Sequence, residues 1–582
     1  MKKNVTNKKL QENLQAYPWR FQCAVVVLCA AFVLVAWRAV ELQVLDRDFL
    51  NSQGDARTVR VEKVNAYRGM ILDRNDKPLA VSTPVMSIWA NPKEIADPAY
   101  VAKKFAPLLG MNRRALERRL TKHARKEFIY LKRHMPPAAA EQILDYEIAG
   151  IYAQREYRRY YPAGEVAAHL VGFTDIDDAG QEGIELAYEE WLRGEPGEKL
   201  VMKDRVGHLI KDLQLLKEEK PGQDVRLSID LRLQYLAYRE LKAAVKEHRA
   251  KSGSLVMLDA KTGEVLALVN QPSYNPNKRS TINHTNLRNR VLTDVFEPGS
   301  TVKPLTVAAA LDSGKFHPAS KIDTAPGYMR IGRHTIRDAV NYGVIDLEKL
   351  ITKSSNVGTS KLALALEQDS VWNMFSQVRL GRDTGSGFPG ERVGLLPYQQ
   401  QWRDVDLAAL SYGYGLSVTL LQLAQAYTVF ANDGAIKGTS LLRETTALPG
   451  EPVMAQSSAQ RVLKMLEKVV SKEGTGIRAQ IPAYRVAGKT GTVHKLSEGG
   501  YQKDKYLSLF AGIAPASHPR IISVVLIDEP QGEQYYGGEV AAPVFSRVVS
   551  GALRVLNVTP DDLPIEREGV ARRVPTQKGD SA

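Results

Sequence analysis

Phe296-Glu297-Pro298-Gly299-Ser300-Thr301-Val302-Lys303 opens an apolar stretch that runs to Asp312 and sets a serine three residues before a lysine. Pro298 and Gly299 end the incoming loop, and a serine before an apolar-periodic run is a helix-start signal. Positions i and i+3 of a helix share a face, so Ser300 and Lys303 are expected side by side. A serine hydroxyl is a weak nucleophile and needs a neighbouring base. A lysine amine serves once it is deprotonated, a state favoured by burial and nearby positive charge. The helix N-terminus also points backbone N–H groups at the place where an oxyanion would form. Alone, Ser-x-x-Lys is common, and a capping serine with a surface lysine explains most copies.

Two further short patterns follow. Ser354-Ser355-Asn356 presents two polar side chains flanking one residue, a pattern that by itself reads as a turn or a helix cap. Lys489-Thr490-Gly491-Thr492 lies in a strand-like run that starts at Arg485. Thr490 and Thr492 project to one face of such a strand. Lys489 falls on the other face, with a stem long enough to reach a nearby cleft. Gly491 lets another backbone or a ligand approach closely.

The conjunction is far more specific than its parts. Ser-x-x-Lys, Ser-x-Asn and Lys-Thr-Gly in this order, at helix, loop and strand positions of one domain, mark penicillin-recognising serine enzymes. Ser355 departs from the β-lactamase version of the middle motif, which has Asp there. With these motifs the chain resembles the penicillin-binding proteins. It is closer still to the class B enzymes, which have one membrane anchor and transpeptidase activity alone. The likeness extends upstream through Arg68-Gly69-Met70-Ile71-Leu72-Asp73-Arg74-Asn75, Arg159-Tyr160-Tyr161-Pro162-Ala163-Gly164, His169-Leu170-Val171-Gly172-Phe173-Thr174 and Gly180-Gln181-Glu182-Gly183-Ile184-Glu185. Tyr535-Tyr536-Gly537-Gly538 and Ala542-Pro543-Val544-Phe545 are similar to the division-specific members of the class.

The resemblance implies a septal peptidoglycan D,D-transpeptidase. In it Lys303 takes the proton of Ser300, which attacks the D-Ala-D-Ala bond of a stem peptide. Backbone N–H groups of Ser300 and Thr492 hold the oxyanion. Ser354 relays a proton to the leaving D-alanine, and Asn356 orients the substrate amide and Lys303. Lys489, Thr490 and Thr492, with Gly491 between them, bind the terminal carboxylate. A second stem peptide resolves the acyl-enzyme, β-lactams acylate Ser300, and no metal or cofactor is required. Implied partners are membrane proteins of the division machinery, a peptidoglycan glycosyltransferase among them.

A class A β-lactamase is disfavoured, because no E-x-x-L-N stretch lies between Asn356 and Lys489. A D,D-carboxypeptidase stays open, since water can replace the amine. So does a division scaffold with a silent site. A β-lactam sensor would call for further membrane segments or a signalling domain. Glu182 and Glu185 read as a solvated or salt-bridged helix face rather than an acid/base pair. His169 reads as structural, with no second His or Cys at metal-ligand spacing.

Working outward, apolar runs Leu255–Asp259 and Glu264–Asn270 flank Lys261-Thr262-Gly263, a hairpin signal. Further strands are expected at Arg485–Val493, Tyr506–Ala514 and Ile521–Asp528, with helices over Thr301–Asp312 and Ser417–Asn432 between. Strands at both ends of a domain with helices between them predict an antiparallel sheet covered by helices. Upstream, Thr58–Val64 and Val85–Ala90 read as strands among helical stretches, and Pro221-Gly222 marks a boundary.

Phe21 to Val40 is an apolar run whose uncharged core, Phe21 to Trp37, spans about 26 Å as a helix. Lys2, Lys3, Lys8, Lys9 and Arg20 precede it, so the tail is expected in the cytoplasm and the bulk outside, across a bacterial inner membrane. The run is too long and too poorly ended for a cleaved signal peptide. The expected class is therefore α+β: cytoplasmic tail 1–20, transmembrane helix 21–40, an elongated, non-catalytic, mixed α/β dimerisation-type pedestal 41–223, a penicillin-binding, β-lactamase-like transpeptidase domain 224–560, and a loose tail 561–582.

Composition agrees with a folded chain: 582 residues, 44% hydrophobic and 25% charged. The net charge of +14 is dispersed and carries no nucleic-acid motif. Cys23 and Cys29, the two cysteines, both lie in the apolar run, leaving the rest of the chain without a disulfide.

Overall fold

The computed structural model describes residues 18–49, 58–203, 209–278, 280, 283–446, 449–497 and 500–563. Most of the expected cytoplasmic tail and of the C-terminal tail lies outside them. The first element is the helix Pro18–Val40, continued by a wider π-helical turn, Glu41–Leu45. Helical residues Trp19–Leu45 number 27, and their apolar stretch is not buried. Phe21, Leu28 and Phe32 are all more than 70% exposed. Among the described residues nothing buries this helix, which is long and apolar enough to cross a membrane.

The chain divides into two compact units that do not follow chain order. The first comprises Met1–Ala66, Val85–Glu156 and Glu195–Lys220. It holds a three-stranded antiparallel sheet with Gly197–Lys203 between Val59–Val64 and Leu209–Lys217. A second core in this unit packs the helices Pro98–Leu109, Arg113–Lys122 and Pro137–Leu144 around Ile88, Phe105, Leu116 and Leu131. Asp97 and Asn112 cap the first two helices through their side chains, which satisfies N–H groups the helices leave open.

The second unit comprises Tyr67–Pro84, Tyr157–Gly194 and Pro221–Ala582. Its centre is a five-stranded sheet, antiparallel throughout. The order is Val265–Gln271, Ser252–Asp259, Ile521–Asp528, Gly500–Ala514, Ala487–Ser497. The expected strands are all present, and Lys261-Thr262-Gly263 lies in the turn of the first hairpin. Side-chain alternation sends the strands into two separate cores. Leu255, Met257, Phe510 and Val525 meet the helices Leu231–Glu247 and Ala542–Val555 on one face. Val256, Leu258, Leu509 and Val524 meet a helical layer on the other, built partly from Lys303–Asp312 and Gln456–Val469. Strands covered on both sides read as near-continuous apolar runs, as Ile521 to Ile527 does.

One expected helix, Ser417–Asn432, is shorter and divided. Thr419 and Gln422 close a reciprocal capping box, so the helix starts at Leu420 and runs to Ala426, with a further turn at Thr428–Ala431. Ser417 is not helical and bridges to Leu395.

Three upstream stretches singled out in the sequence meet in a buried ionic cluster of the second unit. The Glu185 carboxylate accepts from Arg68 at 2.8 Å and from Arg159 at 2.6 Å. Arg68 also pairs with Glu189 at 2.7 Å. The ionic reading of Glu185 is correct and the solvated one is not, since its side chain is inaccessible.

Candidate active site

The Ser300 turn is built before any helix begins. Gly299–Val302 forms a 3-10 turn, and the α-helix starts at Lys303 with Pro304 in its first turn. Ser300 therefore lies one turn ahead of the α-helix and does not cap it. The turn is fixed from several sides. Thr301 Oγ1 donates to Pro298 O at 2.7 Å, Tyr427 Oη donates to Thr301 O at 2.7 Å, and Gly299 N donates to Gly413 O at 3.0 Å. Ser300 remains half-buried at the surface of this turn.

The helix Lys303–Asp312 is buried on all sides, which carries Lys303 inward with it. Its Nζ donates to Ser354 O at 2.6 Å and to Asn356 Oδ1 at 2.6 Å, and lies 3.2 Å from Ser354 Oγ. Burial pulls the Lys303 amine well below its usual range, the charge of Lys489 pulls the same way, and Asp338 opposes both. A neutral amine has two N–H groups and a lone pair. The two carbonyl-type acceptors match the N–H groups of such an amine, and its lone pair then faces the Ser354 hydroxyl at 3.2 Å.

Ser354 ends the helix Leu347–Lys353 in the left-handed region, at φ 60°. Such a conformation costs a non-glycine residue about 1–3 kcal/mol and is typical of functional sites. It aims the Ser354 carbonyl at Lys303. Ser355 then caps the next helix, Asn356–Ala365, by accepting from Gly358 N at 2.9 Å.

Lys489 and its neighbours sit on Ala487–Ser497, an edge strand with a partner on one side only. Its stem crosses to the serine side, and Lys489 Nζ donates to Ser354 Oγ at 2.9 Å and to Thr490 O at 3.2 Å. Burial brings Lys489 down to about 7. The two amines are thus joined through one hydroxyl. Thr490 Oγ1 lies 2.7 Å from Thr475 Oγ1, and Thr492 Oγ1 accepts from Gly537 N at 3.0 Å. A Cβ on Gly491 would lie 2.9 Å from Thr301 Cγ2, so the close approach expected there is made by the Ser300 turn.

All eight residues singled out in the sequence lie in this one unit, five of them along the hydrogen-bonded chain Asn356–Lys303–Ser354–Lys489–Thr490. Others escaped notice. Asp338 accepts from Ser355 Oγ at 2.6 Å, Asn356 N at 2.6 Å and Val357 N at 3.0 Å. Asp338 therefore sets a carboxylate against Ser355 and the start of the next helix, a contact with no signal in the sequence. Gly413 and Thr475 carry no sequence signal of their role. His169 is buried, 2.8 Å from Asn286 O, and brought down to about 4 by burial, which agrees with its structural reading. Among the described residues, no cluster of three or more metal-ligating side chains occurs.

Residues 253–550 match the family described as penicillin binding protein transpeptidase domain, and residues 63–227 match the penicillin-binding protein dimerisation domain. The chain is 44% identical over 565 residues to peptidoglycan D,D-transpeptidase FtsI of Escherichia coli K12, covering 96% of this chain and 95% of that one. This chain belongs to the penicillin-binding protein family. A solved transpeptidase domain of Burkholderia pseudomallei penicillin-binding protein 3 is 42% identical, covers 58% of this penicillin-binding protein and 98% of its own chain, and has a TM-score of 0.54. A peptidoglycan synthetase from Bifidobacterium adolescentis, at 24% identity, covers 87% of this chain and 98% of its own with a TM-score of 0.69, a likeness of fold.

Proposed function

We propose that this penicillin-binding protein is a peptidoglycan D,D-transpeptidase that cross-links septal stem peptides through an acyl-enzyme on Ser300. The observation that carries the mechanism is the buried Lys303 amine, held below its usual pKa and bonded to Ser354 and Asn356. Lys303 Nζ takes the Ser300 hydroxyl proton as Oγ bonds to the carbonyl carbon of the penultimate D-alanine. The oxygen's charge falls on the backbone N–H groups of Ser300 and Thr492. The C–N bond then breaks, and the leaving D-alanine nitrogen takes a proton relayed through Ser354 from the Lys303–Lys489 pair. Lys489, Thr490 and Thr492 hold the terminal carboxylate, and Gly491 keeps the strand close to Ser300. An amine of a second stem peptide then attacks the ester carbonyl carbon; the new C–N bond forms the cross-link as the C–Oγ bond breaks, and the proton that the amine loses passes through Lys303 to Ser300 Oγ. A β-lactam follows the first half of this course.

The helix Pro18–Val40 anchors the protein in the inner membrane with its N-terminus in the cytoplasm and its catalytic domain in the periplasm. The proposed domains are the tail 1–20, the anchor 21–40, the non-catalytic 41–223, the transpeptidase 224–560 and the tail 561–582. Division-machinery membrane proteins, including a glycosyltransferase that supplies glycan strands, are its partners.

The test is covalent labelling of the purified protein with a fluorescent penicillin, with Ser300→Ala in parallel and a chase. Stoichiometric, slowly released label that vanishes in Ser300→Ala is expected. Rapid release with continuing hydrolysis would make it a β-lactamase. Folded protein that takes no label would leave a scaffold role.

A further inference from the structure

Next to the catalytic cluster stands a two-stranded hairpin, Tyr328–Ile331 paired with His334–Arg337. Its register sets Tyr328 opposite Arg337 and Arg330 opposite Thr335. Strand alternation puts Met329, Ile331 and Ile336 on the inner face, in a small core with Val357 and Ala408. The outer face carries Tyr328, Arg330, Thr335 and Arg337, all exposed. Arg337 Cζ lies 5.5 Å from the Tyr328 ring centroid, which holds the guanidinium in place. No Asp or Glu occurs from Thr324 to Arg337. Among the described residues, neither Arg330 nor Arg337 forms a salt bridge. The Arg337 end of this hairpin adjoins the reaction site, because the Arg337 backbone carbonyl accepts from Asn356 Nδ2 at 2.9 Å and Asn356 Oδ1 accepts from Lys303 at 2.6 Å.

An exposed pair of arginines with an aromatic ring is suited to carboxylates, which the guanidinium fork grips through two N–H groups. The transpeptidase reading demands two peptides, and the residues above account for the first alone. The second comes from the same polymer and ends in a carboxylate like the first. We propose that the Tyr328–Arg337 hairpin face docks this second, acyl-accepting stem peptide, its carboxylates on Arg330 and Arg337 and its amine toward Ser300. The inference rests on the transpeptidase reading and adds to it where the acceptor sits.

The experiment uses the full chain in detergent, acylated with penicillin. Binding of a BODIPY-labelled Ala-γ-D-Glu-Lys tripeptide is followed by fluorescence anisotropy, beside the same peptide with its carboxyl groups amidated. Saturable binding of the acidic peptide is expected, about tenfold weaker in Arg330→Glu, intermediate in Arg330→Gln, and weakened by salt. The amidated peptide should bind native and variant proteins alike. Penicillin labelling of both variants should match the native protein, which also reports that they fold. No saturable binding to native protein, or equal binding to Arg330→Glu, would overturn the assignment. Failure of penicillin to label Ser300 would instead overturn the reading of the active site.

Discussion

At the residue scale, function depends on keeping two lysines buried and unequal. Lys303 must be neutral to accept a proton, and burial together with the Lys489 charge pulls its amine toward that state against the opposing charge of Asp338. Arginine stays protonated in proteins, so it offers no lone pair. Lys303→Arg is expected to slow acylation by about 10²–10⁴-fold, the usual worth of a general base, as read by the rate of fluorescent-penicillin labelling. Lys489 makes a second statement testable through stability. Its folded pKa is about 7 against 10.5 when exposed. Between those values the unfolded chain binds more protons, so stability rises with pH across the window. The contribution is whole above 10.5 and lost as pH falls through about 7. Urea midpoints of the native protein should therefore climb more steeply from neutral to alkaline pH than those of Lys489→Met. Parallel slopes would show that Lys489 titrates as an ordinary lysine. Asp338 shows what sequence reading misses: a residue 17 positions before Ser355 whose carboxylate organises the start of a helix.

At the element scale, the site is a meeting of a turn, a helix end and a strand edge. Gly413 packs against the first of these, the Ser300 turn. Its φ is 89°, and a Cβ there would fall 2.2 Å from Gly299 O, a separation no side chain tolerates. Gly413→Ala must push the Ser300 turn out of place. Displacement by about 1 Å from a reactive geometry costs on the order of 10²-fold, so acylation should drop at least that far. Far-UV circular dichroism should stay native, because the alanine disturbs one turn and no sheet pairing. Unchanged labelling kinetics would mean that the turn is not held by this contact. The strands Ser252–Asp259, Val265–Gln271 and Ile521–Asp528 were legible because each is a largely apolar run bounded by turn residues. The helix start at Leu420 was not, because a capping box needs the Thr419 backbone to be extended before Gln422 can reach back.

At the scale of the molecule, a buried ion cluster ties distant stretches of chain into one unit. Arg68, Arg159 and Glu185 span 117 residues, and their side chains are at most 2% exposed. Removing the shared carboxylate leaves two guanidinium groups in the interior without it, a cost of about 3–5 kcal/mol. Glu185→Ala should lower the temperature at which penicillin labelling is lost by on the order of 10 °C. A shift within error would mean that water solvates the two arginines after the change.

Three short motifs in order, an apolar N-terminal run and the alternation of strand and helix signals were enough to determine the family, the α+β class and the residues to suspect. That information is local, since hydrophobic period and motif spacing are properties of neighbours in the chain. Which face of each strand enters which core, how Lys489 crosses to Ser354, and that Asp338 meets Ser355 and the start of its helix were decided only by the tertiary structure. Those contacts join residues far apart in sequence, and their strength comes from burial, which no stretch of chain possesses until the rest has folded around it.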